Sequence, residues 1–288
     1  FMIAVCVLLL SIKNELLAQS ISASVQNGKI ARGVNIIGYD DELWKDHTKG
    51  RFKEAYFKKI KEAGFSSIRV NLFPFSHMDK NFRINEDWLK TLDWVVKNGL
   101  EANLMVILDM HEYNAMADDP VAKKEMFLSV WRQLAPRYKD QPDQVVFELL
   151  NEPNQKLSVE LWNTYLVEAI NLVRQTNPNR TLIIGPGNWN GIESLNTLVL
   201  PKDDKNIIVT VHFYHPMPFT HQGAWWSKEN KDLSGIQWTG TEAEKADVVN
   251  KLKVAADWAK ANDRPIFLGE FGAYDKADME SRARYTAF

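Results

Sequence analysis

Seven times along this chain an apolar run of strand character gives way to a stretch with helical patterning. The strand candidates are 31–38, 66–73, 101–111, 144–152, 180–187, 206–214 and 265–272. Several are nearly continuous in Val, Ile, Leu and Phe, which suits parallel strands covered on both faces. Helical patterns fill 52–63, 86–98, 122–138, 159–175 and 242–261, and in 86–98 the apolar Trp88, Leu89, Leu92, Val95 and Val96 recur at helical spacing. Gly64, Asn98-Gly99 and Asn262 read as helix stops. This alternation predicts an α/β chain folded as a (β/α)8 TIM barrel. No GxGxxG follows the first strand, which weighs against a dinucleotide fold. No low-complexity linker divides the chain, so 21–288 is expected to be one catalytic domain. The count stops at seven strands, because 275–288 reads as the start of the seventh helix. The barrel is therefore expected to be truncated before its eighth strand.

The first ten residues, Phe1 to Leu10, form an apolar run like the core of a secretory signal, with a candidate cleavage region near Ala18-Gln-Ser20. Ten residues are too few to cross a bilayer. We expect a partial signal over 1–20, a secreted protein (extracellular or periplasmic) and no stable membrane insertion. Cys6, the one cysteine, lies in that run, so no disulfide framework is expected in the mature chain. A formal net charge of −2 gives no reason to expect nucleic acid as a partner. A monomer is expected.

In a barrel of this kind, chemistry sits at the C-terminal ends of the strands. The polar residues fall there. Asn35 lies in the first run and Arg69 with Asn71 in the second. Asp109, His111 and Asn114 end the third, and Asn151 and Glu152 the fourth. Asn188 and Trp189 follow the fifth, His212 and Tyr214 end the sixth, and Glu270 ends the seventh. Glu152 closes the run Val-Val-Phe-Glu-Leu-Leu-Asn-Glu-Pro, and Glu270 closes Arg-Pro-Ile-Phe-Leu-Gly-Glu-Phe-Gly. Two carboxylates at the mouths of two buried strands are what acid/base and nucleophile chemistry on a glycosidic bond requires. Each residue alone has a plainer reading: a Glu before Pro can cap a helix, and an Arg in a strand can serve as an ion-pair partner. His212 and His215 have a metal-like spacing, but strand residues three apart face opposite sides, so no metal is expected. No cofactor is expected. Glu148 is read as structural support.

The segments Ile68-Arg-Val, Leu108-Asp-Met-His, Phe147-Glu-Leu-Leu-Asn-Glu-Pro, His212-Phe-Tyr and Leu268-Gly-Glu-Phe-Gly, in this order, resemble glycoside hydrolase family five, the cellulase and mannanase family of clan A. The similarity runs from about Gly33 to the C-terminal end. It implies that Glu152 is the general acid/base and Glu270 the nucleophile of a retaining double displacement. It also implies that Arg69 lies near the nucleophile and that Asn151 bonds the sugar 2-hydroxyl. His111 would serve the glycone subsite, and His212 with Tyr214 would stand beside the carboxylates. The family often has a second histidine after the one matched by His111; here Glu112 stands there.

Trp faces suit pyranose rings, although most of the ten Trp are expected in the core. Trp225 and Trp226 follow the sixth strand in a loop that resembles that of family members acting on β-1,4-glucans, some of which also cleave mannans. Trp44 and Trp189 are further candidates on loops. The expected partner is a β-1,4-linked polysaccharide or oligosaccharide. The leading expectation is an endo-β-1,4-glucanase (a cellulase). A β-mannanase or dual enzyme is the alternative within the class, and an inactive carbohydrate-binding barrel the alternative outside it.

Overall fold

A computed structural model describes residues 22–288. The expected signal at 1–20 lies outside the described residues. Seven strands form one sheet in chain order: β1 Gly33–Ile36, β2 Ser67–Leu72, β3 Met105–Met110, β4 Val145–Glu148, β5 Leu182–Ile184, β6 Ile207–Phe213 and β7 Ile266–Phe271. Every neighbouring pair is parallel. Helices or helical loops make each crossover. Among the described residues β1 and β7 are the sheet's two edges.

The sheet is curled. Arg69 on β2 reaches Glu270 on β7 at 2.6 Å, although five strand spacings of a flat sheet would separate them by roughly 24 Å. This is the barrel architecture that the alternation predicts, followed through its seventh strand.

Strands β2, β3, β4 and β6 are buried at every position. One face packs under the helices, where Trp88, Leu92, Val95, Trp131, Leu134 and Leu166 join strand residues such as Ile68, Val106 and Phe147 in the main core. The other face fills the barrel interior. There Met105, Ile107, Val146, Ile183 and Ile208 meet Ala23 and Ile30 of the helix Ala23–Ile30. The sequence gives no amphipathic signal for this helix. It closes the N-terminal mouth of the barrel, and its Asn27 Nδ2 donates to the carbonyl of Ile266 on β7 at 2.9 Å.

The local chemistry explains the helix ends. Asn85, Asp119 and Ser158 accept first-turn N–H groups, and Thr241 with Glu244 forms a reciprocal capping box. One expected stop fails. The helix Glu86–Glu101 runs through Asn98-Gly99, and β3 starts at Met105 rather than at 101. Gly99 is there for close packing: a Cβ on it would lie 2.7 Å from Val106 Cγ2.

Candidate active site

Parallel strands end together, so their C-terminal residues converge. Asn71 on β2 is in register with Asp109 on β3. A register shift between Val211 and His212 on β6 sets His212 opposite Glu270 on β7.

Arg69 organises the floor. It is buried at 2% exposure. Its Nε and Nη2 donate to the two oxygens of Glu148 at 2.7 and 2.8 Å. Nη2 also donates to Asn151 Oδ1 at 2.8 Å and lies 3.1 Å from Asp109 Oδ2, while Nη1 donates to Glu270 Oε1. One guanidinium thus faces three carboxylates, an arrangement that only a planar fork of five donors can satisfy. Burial opposes the charge on Arg69, but Asp109, Glu148 and Glu270 outweigh it and hold the group well above its usual range. Glu148 is pushed up by burial against the pull of Arg69.

Glu270 is held by both oxygens. Tyr214 donates its hydroxyl to Oε2 at 2.8 Å, and His212 Nδ1 stands 3.7 Å from the same oxygen. Burial works against the ionised form, yet His212, Arg69 and His111 outweigh it and bring the carboxyl down to about 2. These neighbours favour the ionised form of Glu270.

Glu152 follows β4 in a left-handed backbone conformation, φ 41°, which turns its side chain back over the barrel mouth. Its Oε1 lies 2.7 Å from His212 Nδ1. Asn154 Nδ2 holds the Glu152 carbonyl at 2.7 Å. The ligand atoms of Glu152, His212 and Glu270 all lie within 4.8 Å of one another. Such a trio has the spacing of a cation site, but here the Arg69 guanidinium already supplies the positive charge on Glu270.

On the other side His111 Nδ1 lies 2.5 Å from Asp109 Oδ2, and Asn71 donates to that same oxygen at 2.9 Å. Phe73 and Tyr113 stand edge-on to the His111 ring at 5.2 and 5.3 Å. Asn35, Asn71, His111 and Glu270 line a cavity of about 550 Å³, with Tyr39 and Arg51 on its outer wall.

The expected residues Arg69, His111, Asn151, Glu152, His212, Tyr214 and Glu270 thus come together, and Asn35 lines the same space. Trp189 is 47% exposed on the rim, and Trp225 and Trp226 are exposed beyond it, with Trp226 packed edge-on to Tyr274 at 4.7 Å. Trp44 does not belong with them. It is 3% exposed, stacks on Trp88 at 4.8 Å and donates its indole N–H to the Ile37 carbonyl. It lies in the short helix Asp41–Lys45, whose packing face turns the ring into the core. Asn188 is also set apart, since its amide nitrogen donates to Ser194 Oγ at 2.9 Å. The asparagine that enters the site is Asn190, 3.3 Å from His212 Nε2. Nothing in Asn-Trp-Asn distinguishes the two, because an unusual turn decides which one points inward. Tyr39 carries no motif signal either. His215 points away from His212, to Asp247 at 2.6 Å.

The cellulase family (glycosyl hydrolase family 5) matches residues 26–287. Among curated proteins the chain is similar to Endoglucanase H of Acetivibrio thermocellus, 29% identical over 82% of this chain. The chain spans 25% of the length of that relative. It is also 29% identical to Endoglucanase C of the same species, over 88% of this chain and 84% of the relative. Among solved structures, endoglucanase Cel5A of Thermotoga maritima is 38% identical, with TM-score 0.86 over 93% of this chain and 87% of that one. Cel5A has been crystallised with cellobiose and with mannotriose.

Proposed function

Since the chain belongs to the cellulase family, glycosyl hydrolase family 5, we propose that it is a retaining endo-β-1,4-glucanase that uses Glu152 as acid/base and Glu270 as nucleophile. The observation that carries this reading is the spacing of the two carboxylates. An oxygen of each lies within 4.8 Å of the other. Inverting enzymes hold theirs about 6.5–9.5 Å apart to seat a water, whereas retaining ones hold theirs at about 5–5.5 Å.

The geometry supports each step. Glu270 attacks the anomeric carbon as Glu152 gives its proton to the departing glycosidic oxygen. The bond formed is an ester between Glu270 and the sugar, and the bond broken releases the leaving chain. Ester formation removes the charge that Arg69 and Tyr214 were holding. Glu152, now ionised, takes a proton from water, which attacks the ester and frees Glu270. Asn151 is held by Arg69 through its Oδ1 and has its amide nitrogen 3.5 Å from His111 Nε2, which leaves one amide N–H for a sugar hydroxyl. Hydrogen bonds to the 2-hydroxyl strengthen as oxocarbenium character develops.

The rim Trp side chains and the open cleft support cleavage within a polymer. The mannotriose complex of Cel5A supports a second reading, activity on mannans as well. The test is reducing-end release from carboxymethyl cellulose, mixed-linkage β-glucan and glucomannan side by side, with the anomer of the first product read by NMR. An α-anomer from a β-linked substrate would refute retention. Absence of release from all three by the folded chain would favour the inactive sugar-binding barrel. We further propose that 21–288 act as one secreted, monomeric catalytic domain. The apolar run at the N-terminus supports export, and enzyme found only inside the producing cells would refute it. Light scattering that gives a dimer mass would refute the monomer. No helix among the described residues is long and apolar enough to cross a membrane.

A further inference from the structure

We propose that Asn190 is a positioning residue for the acid/base: its side-chain amide fixes the imidazole proton of His212 on Nδ1, and through that ring keeps the proton of Glu152 available to the leaving group. The inference rests on Glu152 being the acid/base.

The chain of contacts is short. Asn190 Nδ2 lies 3.3 Å from His212 Nε2, and His212 Nδ1 lies 2.7 Å from Glu152 Oε1. An amide NH2 only donates, so Nε2 accepts and the ring proton sits on Nδ1, facing Glu152. With the amide reversed, Nε2 would hold the proton and a bare Nδ1 would accept from Glu152. The acid would then be bonded to His212 rather than to substrate.

The fold makes specific room for this pair. Asn188, Trp189 and Asn190 have φ of 55°, 57° and 54° in succession. L-residues enter this region singly, not in runs, so the turn is held by its surroundings. It delivers Asn190 to full burial while Trp189 remains on the rim. A Cβ on Gly185, after β5, would lie 2.0 Å from Asn190 Oδ1. A Cβ on Gly269, on β7, would lie 3.1 Å from His212 Nε2 and 2.4 Å from Thr210 Oγ1. Two strands therefore leave out side chains where the amide and the ring meet. Asn190 Oδ1 has no hydrogen-bond partner among the described residues, so the contact with His212 is what the amide provides.

The ring needs such a restraint. Glu152 and Glu148 face it from the β4 side, Glu270 from β7 and Arg69 from β2. Burial and Arg69 oppose a charge on His212, but Glu270 and Glu152 raise it on balance. A doubly protonated ring beside Glu152 would favour loss of its proton. The amide donor at Nε2 opposes that state.

The test is 15N NMR of the histidine side chains in the intact chain, with His212 assigned from the spectrum of H212Q. The expected result at alkaline pH, above the raised titration range of His212, is a neutral ring protonated on Nδ1. Asn190→Asp places an acceptor at Nε2, tolerates the left-handed turn and should give a doubly protonated ring. The alkaline limb of its kcat/KM profile should move about one unit to lower pH, roughly a tenfold loss near neutrality. Asn190→Gly removes the amide and relieves the turn, and should leave a mixture of tautomers. A neutral His212 protonated on Nε2 in the unmodified chain would overturn the inference. So would an Asn190→Asp variant whose pH profile keeps its shape and only its height falls. The NMR result does not depend on turnover, so an inactive chain would count against the proposed function and leave this inference to be judged on the spectrum.

Discussion

Arg69 donates from Nη1 to Oε1 of Glu270 at 2.6 Å, from a guanidinium whose other edge is clamped by Glu148. The same side chain thus fixes the direction of the nucleophile and neutralises part of a buried acidic floor. Arg69→Lys keeps the charge and loses the fork. We expect it to cost roughly 3–5 kcal/mol of stability, the range for breaking a buried pair, read by urea unfolding. The stability of the variant should also depend less on pH in the acid range. Glu270 sits at about 2 against an ordinary value of 4.5. A depressed carboxyl contributes stability that is full above 4.5 and lost as pH falls toward 2. With a weaker partner Glu270 is less depressed and has less of this stability to lose, so the fall in unfolding free energy between about pH 5 and pH 3 should be shallower than in the unmodified chain. An equal fall in both chains would mean that Arg69 does not hold Glu270 down.

Glu270→Ala should reduce turnover to background, because no ester can form. Added azide should restore cleavage by attacking the anomeric carbon in place of Glu270 while Glu152 protonates the leaving group, giving an inverted glycosyl azide. Glu152→Gln should slow substrates with poor leaving groups by about 10²–10⁴, the usual range for general acid catalysis, and activated aryl glycosides far less. Equal losses on both kinds of substrate would take Glu152 out of the acid role.

The two classes of Trp should separate cleanly. Trp44 is core, so Trp44→Ala should cost about 3–5 kcal/mol of stability, with KM unchanged in the molecules that remain folded. Trp226 is 51% exposed, and Trp226→Ala should leave the melting temperature nearly unchanged. If that ring stacks on sugar, KM for a polysaccharide should rise several-fold with kcat little altered, as a loss of about 1 kcal/mol gives. A raised KM for Trp44→Ala at full foldedness would return that residue to the cleft.

The sequence made the barrel legible because parallel strands buried on both faces leave long apolar runs, and because their polar ends are the site. Glu152 and Glu270 are visible for the same reason: each is a charge closing an apolar run. Trp44 was misplaced because a loop Trp and a core Trp look alike until packing decides. Asn190 was missed because its inward direction comes from three successive left-handed residues, a conformation that no local propensity announces. The helix Ala23–Ile30 was missed because only tertiary contacts with the barrel interior hold it.

Glu112 offers the clearest pH test. It occupies the position after His111, and its Oε1 accepts the backbone N–H of Phe75 at 2.6 Å, tying the loop after β2 to the loop after β3. Phe73, which flanks His111, lies on the first of these loops, and Tyr113, which flanks it from the other side, opens the helix that follows the second. Burial pushes the Glu112 carboxyl from 4.5 up to about 7, against the pull of the Phe75 N–H, Lys123 and His111. Between those values the folded chain binds a proton that the unfolded chain has released. Stability from this group is therefore full below 4.5 and lost as pH rises through 7. Glu112→Gln keeps an acceptor for Phe75 and cannot ionise. The variant and the unmodified chain should unfold at similar urea concentrations at pH 4.5. At pH 8 the variant should be the more stable, by an amount on the order of 1–3 kcal/mol. A difference that stays constant from pH 4.5 to 8 would show that Glu112 titrates alike in both states, and that its carboxylate is solvated despite its burial.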